Sequence, residues 1–177
     1  MDRSYTIGIS CIGSGVGQSV INSLRLSGIP IKTVGLGTNP FAYGAYECHE
    51  YDYTPSIYEK DYIDQLIQKC LQHKIDLIIP GLDDEVLLFA QNTKKLIKAG
   101  ILAIYPDEKF VSICRDKERM SIELNKIKDI FVKSYNIDTI EEQIKSGSAN
   151  LPIIAKPKGG FASKGIKIIQ SIDDLKN

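Results

Sequence analysis

Residues 156–165, Lys-Pro-Lys-Gly-Gly-Phe-Ala-Ser-Lys-Gly, set three lysines and three glycines within ten positions. Apolar runs flank them, Leu-Pro-Ile-Ile-Ala before and Ile-Lys-Ile-Ile after. Glycine lets a backbone adopt conformations closed to other residues and approach a ligand closely. Successive amides in such a loop can form an anion-binding concavity, and lysines add charge. A hairpin turns in about two to five residues, whereas Pro157 to Lys164 spans eight. Lys156 alternates with Ile154 and Pro152 along its strand, so it shares a face with apolar residues. Two readings fit: a phosphate-covering loop with Lys156 as a fixed cation, or a long flexible hairpin tip. No Gly-Lys-Ser/Thr opens a helix here, which excludes a Walker A loop.

A second lysine stands in an unusual place. In Phe110–Ile127 the helical stripe is Ile113, Met120, Leu124 and Ile127, and Lys117 falls on it. A lysine buried alone on an apolar stripe is costly. It reaches either a cleft edge holding an anion or solvent, by snorkelling past the core.

The elements that must position these residues alternate. Apolar runs at 5–12, 31–38, 75–82 and 101–106 read as strands. Residues 17–28, 58–74 and 83–100 read as helices, with Gly28 and Gly100 as stops. Residues 41–56 read as an irregular, tyrosine-rich connection with room for a short strand near Cys48. The fold class expected is α/β: a Rossmann-like, mostly parallel sheet over residues 1–110, with helices on both faces. A smaller α+β unit over 111–177 should follow. It holds a helix through Ile127, a strand over 130–137, a short helix from Thr139, and two antiparallel strands around the lysine loop. A last helix begins after Ser171.

The chain has 177 residues, with 22 Lys and Arg against 22 Asp and Glu. Zero net charge gives no electrostatic footprint for nucleic acid. Four cysteines form no Cys-x-x-Cys pair, so neither a disulfide framework nor a zinc site is expected. No long apolar run or leader is visible, and a cytoplasmic protein with no membrane partner is expected.

Asp116-Lys117 in "ICRDKERMSIEL", followed about thirty residues later by "LPIIAKPKGGFASKGIKII", resembles the ATP-grasp superfamily. The resemblance is nearest to the branch related to the carbamoyl phosphate synthase large subunit. "SGVGQSVINSL" and "DLIIPGLDDEVLLFA" resemble the Rossmann-like domain that precedes the ATP-grasp in that branch. The resemblance implies that 1–110 is this preceding domain and 111–177 the first ATP-grasp subdomain. It implies ATP as cofactor, with Lys117 and Lys156 on its phosphates. Gly159, Gly160, Ser163 and Gly165 would form the lid over the phosphates, and Lys158 and Lys164 would also bind the nucleotide. The implied chemistry is ATP-dependent ligation: a small, amino-acid-like carboxylate becomes an acyl phosphate, and an amine displaces the phosphate. A homodimer is compatible with it. Phe161 departs from the small residue usual there. The family's Mg2+ ligands lie downstream of the loop, so the expectation is an incomplete, inactive ATP-grasp domain.

Gly13–Ser19 lacks the third glycine of a dinucleotide fingerprint, with Gln18 in its place, and no acid ends the second strand. Asp83, Asp84 and Glu85 read as a helix-capping cluster ahead of metal ligands. His49 and His73 receive no role. The competing readings are a Rossmann-type nucleotide-sensing module without catalysis, and an interaction protein.

Overall fold

A computed structural model describes residues 4–128, 131–159 and 165–175. The chain divides into two compact units, Met1–Val111 and Ser112–Asn177.

Unit 1 is a five-stranded, all-parallel sheet: β1 (Tyr5–Ile9), β2 (Ile31–Gly37), β3 (Glu50–Tyr53), β4 (Leu77–Ile79) and β5 (Leu102–Ala103). The order is β3-β2-β1-β4-β5, that of a doubly wound sheet. Helices α1 (Gly15–Leu26) and α2 (Tyr43–Glu47) link β1, β2 and β3. Helices α3 (Tyr62–Gln72), α4 (Asp83–Gln91) and α5 (Thr93–Lys98) follow. Right-handed crossovers send α1 and α2 to one face and α3, α4 and α5 to the other, because the winding direction reverses after β3.

Two cores result. Ile7, Ile9, Ile12 and Ile21 pack with Ala45 beneath α1 and α2. Val34, Leu36, Tyr62, Leu66, Ile78, Phe89 and Leu96 pack beneath α3, α4 and α5. Strands buried on both faces read as near-continuous apolar runs rather than alternations, which is why β1, β2 and β4 stand out in the sequence.

Two details differ from expectation. The helix expected over 83–100 is broken at Asn92, whose side-chain amide donates to the Leu88 carbonyl at 2.9 Å. An asparagine side chain competes with the helical ladder in this way. The tyrosine-rich connection contains α2 as well as β3.

Unit 2 contains α7 (Lys117–Ile127), α8 (Ile140–Lys145), β6 (Ile153–Ala155), β7 (Lys167–Ile169) and a 3-10 turn at Ile172–Leu175. Helix α6 (Glu108–Arg115) straddles the boundary between units. Strands β6 and β7 pair antiparallel with Ile154 opposite Ile168, as expected. Three expectations fail. The helix through Ile127 is two helices, because Asp116 adopts an extended backbone and caps α7, accepting from the Arg119 amide. The apolar stripe that placed Lys117 beside Ile113 is therefore not continuous. Residues 131–137 form no strand. Among the described residues β6 and β7 pair only with each other, and an apolar run without a hydrogen-bonded neighbour leaves its amides unpaired. The segment after Ser171 is a 3-10 turn, with Asp174 accepting from the Gln170 and Ser171 amides at 2.9 Å.

Candidate functional site

Asp116 ends one helix and starts the next, and this break puts Lys117 at the first position of α7. There its backbone amide donates to the Lys158 carbonyl at 3.1 Å and its ammonium to the same oxygen at 3.3 Å. Lys158 in turn reaches Glu118, Nζ to Oε2 at 2.5 Å. Hydrogen bonding to Glu118 holds the Lys158 ammonium above its ordinary range. The helix start and the glycine-rich segment, 41 residues apart in sequence, are thus stapled twice. Sequence reasoning did not single out Glu118. Its place directly after Lys117 was the available signal, since the first turn of a helix favours an acid.

Gly159 follows immediately. A Cβ built there would have no atom within 4 Å, so open space lies beside its backbone. Gly165 has φ +73, and a Cβ there would lie 3.0 Å from the Pro157 ring. That position requires glycine on two counts. Lys156 stands exposed just after β6, and among the described residues it makes no hydrogen bond or ion pair. Gly160, Phe161, Ser163 and Lys164 lie outside the described residues. The structure therefore brings together Lys117, Lys158 and Gly159, and leaves Lys156 facing solvent beside them in sequence.

Cations beside open backbone suit an anionic ligand such as a phosphate chain. One of the two ammonium groups is already shared with Glu118. Among the described residues no group of three or more His, Cys, Asp or Glu is placed to hold a metal ion.

In unit 1, the Gly13–Ser19 turn is closed by its own bonds. Ser14 caps α1, its Oγ accepting from the Gly17 amide at 2.9 Å and donating to the Gly81 carbonyl at 2.7 Å. Asp83 and Asp84 sit in the first turn of α4, but the cap residue is Leu82 and no side chain caps it. The expected capping cluster is instead a helix-dipole arrangement. Glu85, its third member, is fully buried. Its carboxyl accepts from the Tyr62 hydroxyl and, at 3.0 Å, from the Gly81 amide. Nothing in the spacing of Asp83-Asp84-Glu85 distinguished the buried acid from the exposed ones. No helix among the described residues is long and apolar enough to cross a membrane.

Unit 1 is thus a doubly wound parallel sheet, and unit 2 holds an antiparallel strand pair flanking the lysine-glycine segment. A family model described as "PylC-like, N-terminal domain" matches residues 11–105, more than half of the chain, and the chain belongs to that family. No curated protein matches by sequence. Among solved structures, N5-carboxyaminoimidazole synthetase from Staphylococcus aureus complexed with ADP is 21% identical with TM-score 0.69. The match covers 99% of this chain and 44% of that one. The biotin carboxylase domain dimer of 2-oxoglutarate carboxylase from Hydrogenobacter thermophilus, with MgADP, ADP and bicarbonate, is 16% identical with TM-score 0.70. It is matched over 98% of this chain and 39% of its own. Rhizobium etli pyruvate carboxylase is 19% identical with TM-score 0.71, over 98% and 16%. At such identities the likeness is one of fold. The chain spans less than half the length of each of these proteins.

Proposed function

We propose that this chain is the N-terminal part of an ATP-grasp carboxylate–amine ligase. In this reading unit 1 is the domain that precedes the ATP-grasp and unit 2 is its first subdomain. Lys117, Lys156 and Lys158 grip the nucleotide's phosphates, and the glycine segment 159–165, with Ser163 and Lys164, covers them. The observation that carries the reading is the pair of hydrogen bonds that Lys117 donates, from its amide and its ammonium, to the Lys158 carbonyl, which draws a cation-bearing helix start onto the glycine-rich segment. The ADP named with two of the structures of like fold supports it.

The chemistry is the activation of a small, amino-acid-like carboxylate as an acyl phosphate, using Mg-ATP, and displacement of phosphate by an amine. What this chain contributes is charge and position. Lysines and backbone amides fixed before the reaction stabilise charge as it develops and cost no reorganisation. Bound magnesium would supply the remaining neutralisation of phosphate charge. ATP and magnesium are the cofactors that this reading calls for. The narrower placement beside carbamoyl phosphate synthase rests on Asp116-Lys117 and Lys156-Pro157. A cytoplasmic location and pairing of two copies belong to the same reading.

Titration of the chain with ATP, ADP and NAD, followed by amide chemical shifts, tests it. ATP or ADP should shift residues 117–119 and 156–159, and Lys117→Ala with Lys156→Ala should abolish those shifts. Shifts with NAD at the Gly13–Gly17 turn would instead favour a nucleotide-sensing module. No shift at millimolar nucleotide would remove the proposal.

A further inference from the structure

Glu85 lies where the winding of the unit 1 sheet reverses, between the ends of β1 and β4. It has no exposed surface. Groups from three other segments surround its carboxyl. The Tyr62 hydroxyl, at the start of α3, donates to Oε1. The Gly81 amide, in the turn after β4, donates to Oε2 at 3.0 Å. Ser10 and Cys11, leaving β1, face it from a third side. The titratable groups that face it are Tyr62 and Cys70 from α3 and Cys11 from the β1–α1 turn. All of these are acids or neutral groups, so none offsets a negative charge.

The turns around it are tightly interlocked. Ser14 bonds to the Gly81 carbonyl, and the Ile12 amide bonds to Leu36 at 3.1 Å. Cys11 is held at φ 47, where a non-glycine residue is uncommon and needs support from its surroundings. A buried carboxylate with no cation is costly, whereas the neutral acid can both accept and donate in this ring. Burial moves the Glu85 carboxyl upward, against the pull of its hydrogen-bond donors.

We propose that Glu85 is a proton-dependent latch on the carboxyl edge of the sheet. When neutral, it ties the Ser10–Ser14 turn and the Gly81 turn to α3 in one rigid arrangement. When ionised, it draws water in and lets both turns open. That edge is where open α/β sheets take their ligands, so the latch sets how readily the edge rearranges. The inference is independent of the ligase reading and holds whether or not the chain binds nucleotide.

The sign follows from linkage. A raised native pKa means the closed form keeps a proton that the open form loses. Opening therefore becomes easier as pH rises from the free-glutamate midpoint to the buried one, by up to about tenfold per pH unit. Carbon-13 NMR titration of the side-chain carboxyls in the full chain reads the group directly. Hydrogen exchange of residues 10–17 and 80–85 reads the turns, in the wild type and in Glu85→Gln. The expected result is a Glu85 midpoint above that of a free glutamate, with the Gly81 and Cys11 amide shifts following it. Exchange corrected for intrinsic rate should rise with pH in the wild type and stay flat in the variant. A midpoint at or below that of a free glutamate overturns the latch, as do amide shifts that ignore it or equal pH dependence in both proteins. If the variant does not fold, the wild-type titration decides alone.

Discussion

Two glycine-to-alanine substitutions separate a backbone obstacle from a side-chain one. At Gly81, a Cβ would lie 2.3 Å from the Ser10 carbonyl oxygen and 3.0 Å from that of Cys11. Both are main-chain atoms inside the β1–α1 turn and cannot rotate away. At Gly8, a Cβ would lie 2.7 Å from the Cδ1 atoms of Ile75 and Ile78, which are the ends of flexible side chains. Overpacking at a rigid site costs about 1–3 kcal/mol. Displacing Gly81 also strains its bonds with Glu85 and Ser14, each worth about 1 kcal/mol. Gly81→Ala should therefore destabilise unit 1 by about 3–4 kcal/mol. At roughly 4 °C per kcal/mol for a unit of this size, its Tm should fall by about 15 °C. Gly8→Ala should stay within about 1 kcal/mol, because rotamer adjustment is partly offset by reduced freedom of the unfolded chain. Thermal melts of both variants by circular dichroism, with hydrogen exchange on β1 to assign the transition to unit 1, supply the comparison. If Gly8→Ala proves the more damaging, or Gly81→Ala melts with the wild type, the distinction between backbone and side-chain obstacles is wrong here.

Phe89 is fully buried and meets Tyr105 edge-on with ring centroids 6.4 Å apart; Phe89→Ala should cost about 3–5 kcal/mol in urea unfolding. Partial burial pulls the Asp52 carboxyl up, but hydrogen bonds from Lys69 and His73 outweigh it and hold it below the ordinary carboxylate range. The stability this contributes is complete above the unfolded carboxylate's pKa and is lost as pH falls through the lower, folded one. Asp52→Asn should therefore flatten the acid limb of the stability profile, by about 0.5 kcal/mol after screening. Burial pushes the Cys70 thiol up to about 12, while Cys114 is exposed. Mass spectrometry after brief alkylation of the native chain should find Cys114 modified first and Cys70 protected. Glu118→Ala should leave the thermal melt close to that of the wild type, since its partner Lys158 is mostly exposed and the pair is screened by solvent.

The sheet of unit 1 was legible because its strands are buried on both faces and announce themselves as apolar runs, with Gly28 and Gly100 marking helix ends. Both adopt positive φ, at 68 and 71. Composition and local pattern sufficed wherever the deciding interactions were short in sequence. The antiparallel strands that flank the lysine-glycine segment were equally readable. The break at Asp116 was not. Periodicity carried a stripe across it, and only the side-chain bond to the Arg119 amide shows that the cap won over the continuing ladder. The run over 131–137 has strand composition, but a strand is defined by a partner, and among the described residues the folded chain gives it none.

What the sequence alone determined is the class: an α/β domain, then a lysine-bearing unit, with Lys117 and Lys156 as its leading candidates. What only the tertiary structure decided is which groups meet. Lys117 reaches Lys158 across 41 positions, and Glu85 is joined to Tyr62 across 23. Glu85 looks like its neighbours Asp83 and Asp84 in sequence. It differs because the packing of α3, β1 and β4 removes it from water, and burial is a property of the whole fold that no local spacing encodes.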